Sequence, residues 1–197
     1  MSLLRRLLLN PLLAMRAPRM CYGMRSGEGR WRPHSRISDH SVIESPARLR
    51  LGDHVFIGHF NFIDASGGLA LGEGVQITNH VSVLTHSTHR ALRIERDAFW
   101  GHQDPPSVER IATSIGDWSF IGPHCTIAPG ARIGRGVLVR AYSYISGEVP
   151  DFAIVQGQPA RVIGDVRDGD HAWLAGQPAP LRQSYEAWLA DTGRQHS

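Results

Sequence analysis

The feature that most constrains this chain is a six-residue period of aliphatic side chains through its middle. Ile37, Ile43 and Leu49 form one set, Leu51, Ile57 and Ile63 a second, and Leu71, Ile77 and Val83 a third. Ile115, Ile121, Ile127, Ile133, Val139 and Ile145 then run without a break. Four places after these stand small or compact residues: Ser41, Ala47, Val55, Val75, Val81, Ser119, Cys125, Ala131, Val137, Ser143 and Val149. A core-facing helix needs a period of about 3.6 and a half-buried strand a period of 2, so neither fits. A repeating six predicts a solenoid in which six residues make one short strand and one turn, and three such units close a triangular coil. Coils then stack at an inter-strand spacing of about 4.8 Å. The large residue fills the interior, and the compact one lets the next corner close. Gly52, Gly58, Gly72, Gly116, Gly122 and Gly134 each follow an aliphatic, where the expectation is a turn of positive φ.

The phase slips by two residues between Leu49 and Leu51, and again between Ile63 and Leu71. A larger break runs from about 86 to 113 and carries charges, prolines, Phe99 and Trp100. Long loops in compact bodies tend to be functional. Because the period resumes at Ile115, this one reads as an excursion from the coil and not as a domain boundary. The organisation expected is a basic amphipathic segment over 1–36, a β-solenoid over 37–163, and a helical extension over 164–197.

Residues 1–19 are Leu-rich and basic, with no acid, but their apolar run is too short to span a bilayer. A packing helix that closes one end of the core is preferred, with contact to an anionic membrane surface as the alternative. At the other end, Leu181, Tyr185, Trp188 and Leu189 fall on one helical face. Two cysteines, Cys21 and Cys125, do not make a disulfide framework, which favours a reducing, cytoplasmic setting. No phosphate-binding P-loop, dinucleotide fingerprint or Cys-pair zinc motif is present, and the basic residues form no nucleic-acid pattern.

Three stretches of this sequence resemble the hexapeptide-repeat acyltransferases, most closely the branch that acetylates sugar hydroxyls. They are SIGDWSFIGPHCTIAPGARIG over 114–134, VPDFAIVQGQPARVI over 149–163, and NHVSVLTHSTHR over 79–90. The resemblance implies an all-β, left-handed parallel β-helix, a homotrimer with sites between subunits, and acetyl-CoA as co-substrate with no metal. It also implies a saccharide acceptor, such as a surface-glycan, capsule or O-antigen unit.

An alcohol attacks a thioester poorly until a base takes its proton, and His is suited to that near neutrality. His89 is preferred as the base by resemblance, with His86 as its rival. Asn61 and Asp64 match a stretch whose Asn contacts the acceptor, the other reading for each being a corner cap. Phe120, Gly122, Ala141 and Ser146 match positions bordering the pantetheine arm, and Arg161 a basic position near the nucleotide phosphates. The loop residues Arg93, Arg96, Phe99 and Trp100 are expected to shape acceptor choice.

Two departures stand against this resemblance. Pro123 follows Gly122 where relatives can offer a main-chain N–H to the thioester oxygen, and Gly164 replaces a basic residue of some relatives. Two other readings therefore stay open. One is a zinc enzyme resembling γ-class carbonic anhydrases, drawing on His54, His59, His80, His86 and His124. The other is a solenoid binding module without catalysis, for which Pro123 is the best support.

Overall fold

The computed structural model describes residues 17–101 and 103–191. Its core is a three-faced solenoid of parallel strands. The first face stacks Trp31–Ser38, Phe56–Ile57, Gln76–Ile77, Phe120–Ile121, Leu138–Val139 and Ala153–Gly157. The second stacks Val42–Glu44, Phe62–Asp64, Ser82–Val83, Thr126–Ile127 and Tyr144–Ile145, and the third Leu49–Leu51, Leu69–Leu71, Thr113–Ile115, Arg132–Ile133 and Glu148–Val149. Register follows the aliphatic set: Ile37 faces Ile57, Ile57 faces Ile77, Ile77 faces Ile121, and Ile121 faces Val139. Ile57, Ile77, Ile121 and Ile127 are fully buried, and burying each such side chain contributes about 1.5–3 kcal/mol.

The two-residue slips have a simple outcome. They lengthen the strands of the third face, so that Leu49 and Leu51, and likewise Leu69 and Leu71, both point inward. The expectation for the glycines is corrected in one respect. Gly52 and Gly116 are not among the positive-φ residues. Their missing Cβ is what matters, since one would lie 2.6 Å from the Glu73 amide or the Gly134 carbonyl carbon of the next coil. Positive φ falls at other turn positions, held by glycine at Gly68, Gly74, Gly130, Gly136 and Gly147 and by rings at His54, Phe60, His80, Trp118, His124, Tyr142 and Phe152. Stacking across coils favours this strained choice: Phe60, His80, His124 and Tyr142 form a column with centroids 4.8 to 5.2 Å apart.

Polar residues in the compact slots act as clamps. Ser41 Oγ donates to the Gly58 carbonyl and accepts from the Asn61 amide. Ser119 Oγ likewise donates to the Gly134 carbonyl and accepts from the Val137 amide. Cys125 is buried among these slots, and burial pushes its thiol pKa up, as a packing cysteine should behave.

Both solenoid ends are covered. Met20–Arg25 pairs antiparallel with Trp31–Ser38 and buries Met24. The helix expected within the first 19 residues falls almost wholly outside the described residues. At the other end, Ala153–Gly157 turns back into Ala160–Asp165, and two helices follow, α1 (Val166–Leu174) and α2 (Ala179–Ala190). Asp165 caps α1 by accepting from the Arg167 amide. The Arg135 guanidinium lies 4.9 Å from the Phe152 ring and 5.7 Å from Trp188, and donates to the Leu189 carbonyl. It therefore ties α2 to the last coils. Tyr185, Trp188 and Leu189 are half-buried against the body, whereas Leu181 remains exposed.

Candidate active site

The coil opens where the second face gives way to the third. His86–Ser87 leaves the solenoid and pairs antiparallel with the returning Glu109–Arg110. Between them lie a short helix, His89–Glu95, and a 3-10 segment, Arg96–Gly101. The Ile111 amide donates to the Thr85 carbonyl and Thr113 Oγ1 to the Leu84 carbonyl, closing the base of the excursion.

At that base stands an Asp–His pair. Asp64 is 0% exposed and ends a second-face strand one coil away from His86. Its Oδ2 accepts from the Thr85 amide at 2.8 Å and from Thr85 Oγ1 at 2.8 Å, and lies 2.7 Å from His86 Nδ1. Its Oδ1 accepts from the Ser66 amide at 2.8 Å, a local turn in which the side chain bonds two residues on. Burial pushes the Asp64 carboxyl pKa up, but the hydrogen bonds from Ser66, the Thr85 amide and His86 outweigh it and hold the group well below the usual carboxylate range. An ionised Asp64 only accepts, so the proton on the His86 ring sits at Nδ1, and Nε2 carries the lone pair. Ser66 Oγ lies 3.0 Å from the same Nδ1 and steadies the ring. With 31% of its side chain exposed, His86 is positioned by buried groups yet open to a ligand.

The other candidates are placed differently. His89 begins the short helix, is exposed, and has Ser87 Oγ 2.6 Å from its Nδ1 with no carboxylate on the ring. Asn61 is buried, and its Nδ2 donates to the Thr78 carbonyl while Oδ1 accepts from the Val81 amide. It is thus a larger version of the serine clamps, which agrees with the corner-cap reading of this residue. Phe120 projects from the first face between Gln76 and Leu138, partly exposed. Gly122 approaches Ala141 across the corner between first and second faces, where a Cβ on Gly122 would lie 2.7 Å from the Ala141 amide. Ser146 is exposed on the same corner as His86, two strands further along the stack, or about 10 Å. Arg161 is exposed on the closing hairpin and donates to the Ala160 carbonyl. Within one chain, Asp64 and His86 meet, whereas Phe120, Gly122 and Ala141 lie along a different corner. Arg93, Arg96 and Trp100 are exposed on the excursion, Trp100 at 79%, with Phe99 edge-on to it.

Thr85 and Ser66 complete the site with little trace in the sequence. Their only signals are an Asp-Ala-Ser turn at 64–66 and a Thr immediately before His86.

Residues 112–147 match the family described as bacterial transferase hexapeptide (six repeats). Over this stretch the chain is similar to the hexapeptide-repeat transferases. It is 27% identical over 142 residues to the galactoside O-acetyltransferase of Escherichia coli K12, covering 68% of this chain and 65% of that protein. It is 28% identical over 167 residues to a probable acetyltransferase of Mycobacterium tuberculosis, covering 84% of this chain and 51% of the other. The chain thus spans about half to two thirds of the length of these relatives. Among solved structures, a hexapeptide-repeat acetyltransferase of Vibrio cholerae complexed with acetyl coenzyme A superposes with a TM-score of 0.56 at 25% identity, covering 64% of each chain. Among the described residues, no helix is long and apolar enough to cross a membrane.

Proposed function

We propose that this protein transfers an acetyl group from acetyl-CoA to a saccharide hydroxyl, with His86 as the general base. The observation that carries this reading is the hydrogen bond from His86 Nδ1 to the buried Asp64 carboxylate. It fixes the tautomer, aims Nε2 outward, and stabilises the imidazolium that forms when the ring takes a proton. Nε2 accepts the proton of the acceptor hydroxyl as its oxygen bonds the thioester carbonyl carbon. The carbon–sulfur bond then breaks, and the imidazolium returns the proton to the departing sulfur. The products are an acetyl ester and free CoA, and the ring is restored.

The likeness to the E. coli galactoside enzyme and to the acetyl-CoA complex from V. cholerae supports both the donor and the acceptor class. The expected base thereby moves from His89 to His86, because His86 alone of the two has a carboxylate on its ring. The coil is read as left-handed and the assembly as a homotrimer. In this reading the assembly brings Phe120, Gly122 and Ala141 of one subunit to His86 of another, since within one chain they lie along a different corner; Ser146 shares the corner of His86, and Arg161 sits on the closing hairpin. Arg93, Arg96, Phe99 and Trp100 then border the acceptor. Acetyl-CoA supply puts the reaction in the cytoplasm.

The test is calorimetric titration with acetyl-CoA, followed by release of free thiol in the presence of a panel of saccharides. Micromolar donor binding with acceptor-dependent thiol release, abolished in His86→Ala and kept in His89→Ala, is expected. Folded, trimeric protein that binds no acetyl-CoA would overturn the reading.

A further inference from the structure

A second cluster of metal-ligating groups lies at the corner between third and first faces, away from Asp64 and His86. Successive coils place His34 above His54, with ring centroids 4.7 Å apart and planes within 3°. Asp53 bonds the main-chain amides of both and the ring of His34, and one ligand atom from each of the three residues falls within 4.8 Å of the others.

The two oxygens of Asp53 are differently employed. Oδ1 accepts from the His34 amide at 2.9 Å, the His54 amide at 2.9 Å and Ser35 Oγ at 3.1 Å, so the main chain anchors it. Among the described residues, Oδ2 meets the His34 ring alone, at 2.8 Å from Nδ1. Glu73 repeats the arrangement one coil on. Its Oε2 accepts from the Asp53 amide at 2.7 Å, and its Oε1 lies 2.6 Å from His54 Nδ1. Each carboxylate is therefore held by one oxygen and offers the other at a histidine ring.

From this geometry we infer a site for a borderline divalent transition ion, with His34, His54 and Asp53 as ligands and Glu73 as the acid that orients His54. Imidazole nitrogens with a carboxylate oxygen suit zinc, nickel or copper, whereas magnesium and calcium prefer oxygen alone. Around a tetrahedral ion with bonds of about 2.05 Å, ligand atoms stand about 3.4 Å apart. The histidine side chains are 63% and 51% exposed, so they can tilt toward one another without disturbing the core. Two carboxylates match the charge of a dication, and a carboxylate partner on a ligating histidine is the usual outer support of such sites. The ion would pin the coil carrying Asp53 and His54 to the chain that enters it. It takes no part in acetyl transfer.

The test uses the full-length chain and Zn²⁺, competed against a chromophoric chelator, with Mg²⁺ as the control ion. Expected are one Zn²⁺ per chain with micromolar or tighter affinity, no Mg²⁺ binding, and a rise in melting temperature on adding Zn²⁺. His34→Gln and His54→Gln should each weaken Zn²⁺ by tenfold or more and abolish the thermal shift, while remaining folded by circular dichroism. His86→Ala should bind Zn²⁺ as the parent does, which separates this site from the acetyl-transfer reading. Absence of stoichiometric Zn²⁺ binding, or binding unchanged in the His34→Gln/His54→Gln double variant, overturns the inference.

Discussion

Two histidine–carboxylate groups, built by the same coil-to-coil register, differ in what surrounds the acid. Asp64 is fully buried, and its second donor set comes from Thr85 on the neighbouring coil. Asp53 keeps 17% of its side chain exposed, and His34 beside it is mostly in solvent. In both cases burial raises the carboxyl pKa and hydrogen bonds more than offset it, taking Asp53 down to about 2 and Asp64 well below the usual range. The contrast teaches that an Asp–His hydrogen bond does not by itself define a catalytic group. What distinguishes the pair at His86 is a fully buried acid that fixes one nitrogen of a half-exposed ring standing where the coil opens.

The largest effect that could break this contrast is on turnover. His86→Ala should lower kcat by about 10²–10⁴-fold with intact folding, whereas His34→Ala should leave thiol release within about twofold under the same reasoning about a remote group. Equal losses in the two variants would erase the distinction. Next in size, Asp64→Ala should destabilise the chain by about 3 kcal/mol in urea denaturation, because it strands the two buried Thr85 donors and the half-buried Ser66 amide. Asn61→Ala should cost about 1–3 kcal/mol with little change in kcat, as befits a clamp; a large kcat loss at full stability would return Asn61 to the acceptor site.

Acid titration sharpens the comparison further. The folded Asp64 carboxyl lies below its unfolded value of about 3.9. Its contribution to stability is therefore fully present above that pH and is lost as pH falls toward the folded value. Stability measured from pH 5 downward should decline, and Asp64→Asn should flatten that decline. Smaller still, Thr85→Val removes the Oγ1 donor to Asp64 at nearly constant shape and should cost about 1 kcal/mol. If Thr85 positions the pair, the pH profile of kcat shifts as well, which loss of packing alone would not produce. His89→Ala is expected to have the smallest effect, less than about twofold, since its ring is bonded to the Ser87 hydroxyl and not to a buried carboxylate among the described residues.

Much of the architecture could be read from the chain because a six-residue period is a local signal. The aliphatic set from Ile115 to Ile145 faces inward throughout, as its spacing implied. The corner residues were harder. Ser41, Asn61 and Ser119 clamp atoms 15 to 20 residues away, and a reading along the chain cannot tell such a clamp from a residue facing a ligand. The same limit separates His86 from His89. Both sit where the period stops, and only the neighbouring coil, which carries Asp64, distinguishes them. The glycines after Ile57 and Ile115 mark contact with the next coil and not an unusual φ, a property of stacking that no short window contains.

The stacked register turns the solenoid into a graduated rule. Side chains at equivalent positions, such as Phe56, Gln76, Phe120 and Leu138 on the first face, succeed one another at steps of one strand spacing, about 4.8 Å. A long, thin ligand lying along such a face meets groups only at whole multiples of that step. Changing its reach by less than one graduation must come from side-chain length, and changing it by more requires a whole coil. The interval between the ring of His86 and any rung below it is thus fixed by the backbone, before a single contact with the ligand has formed.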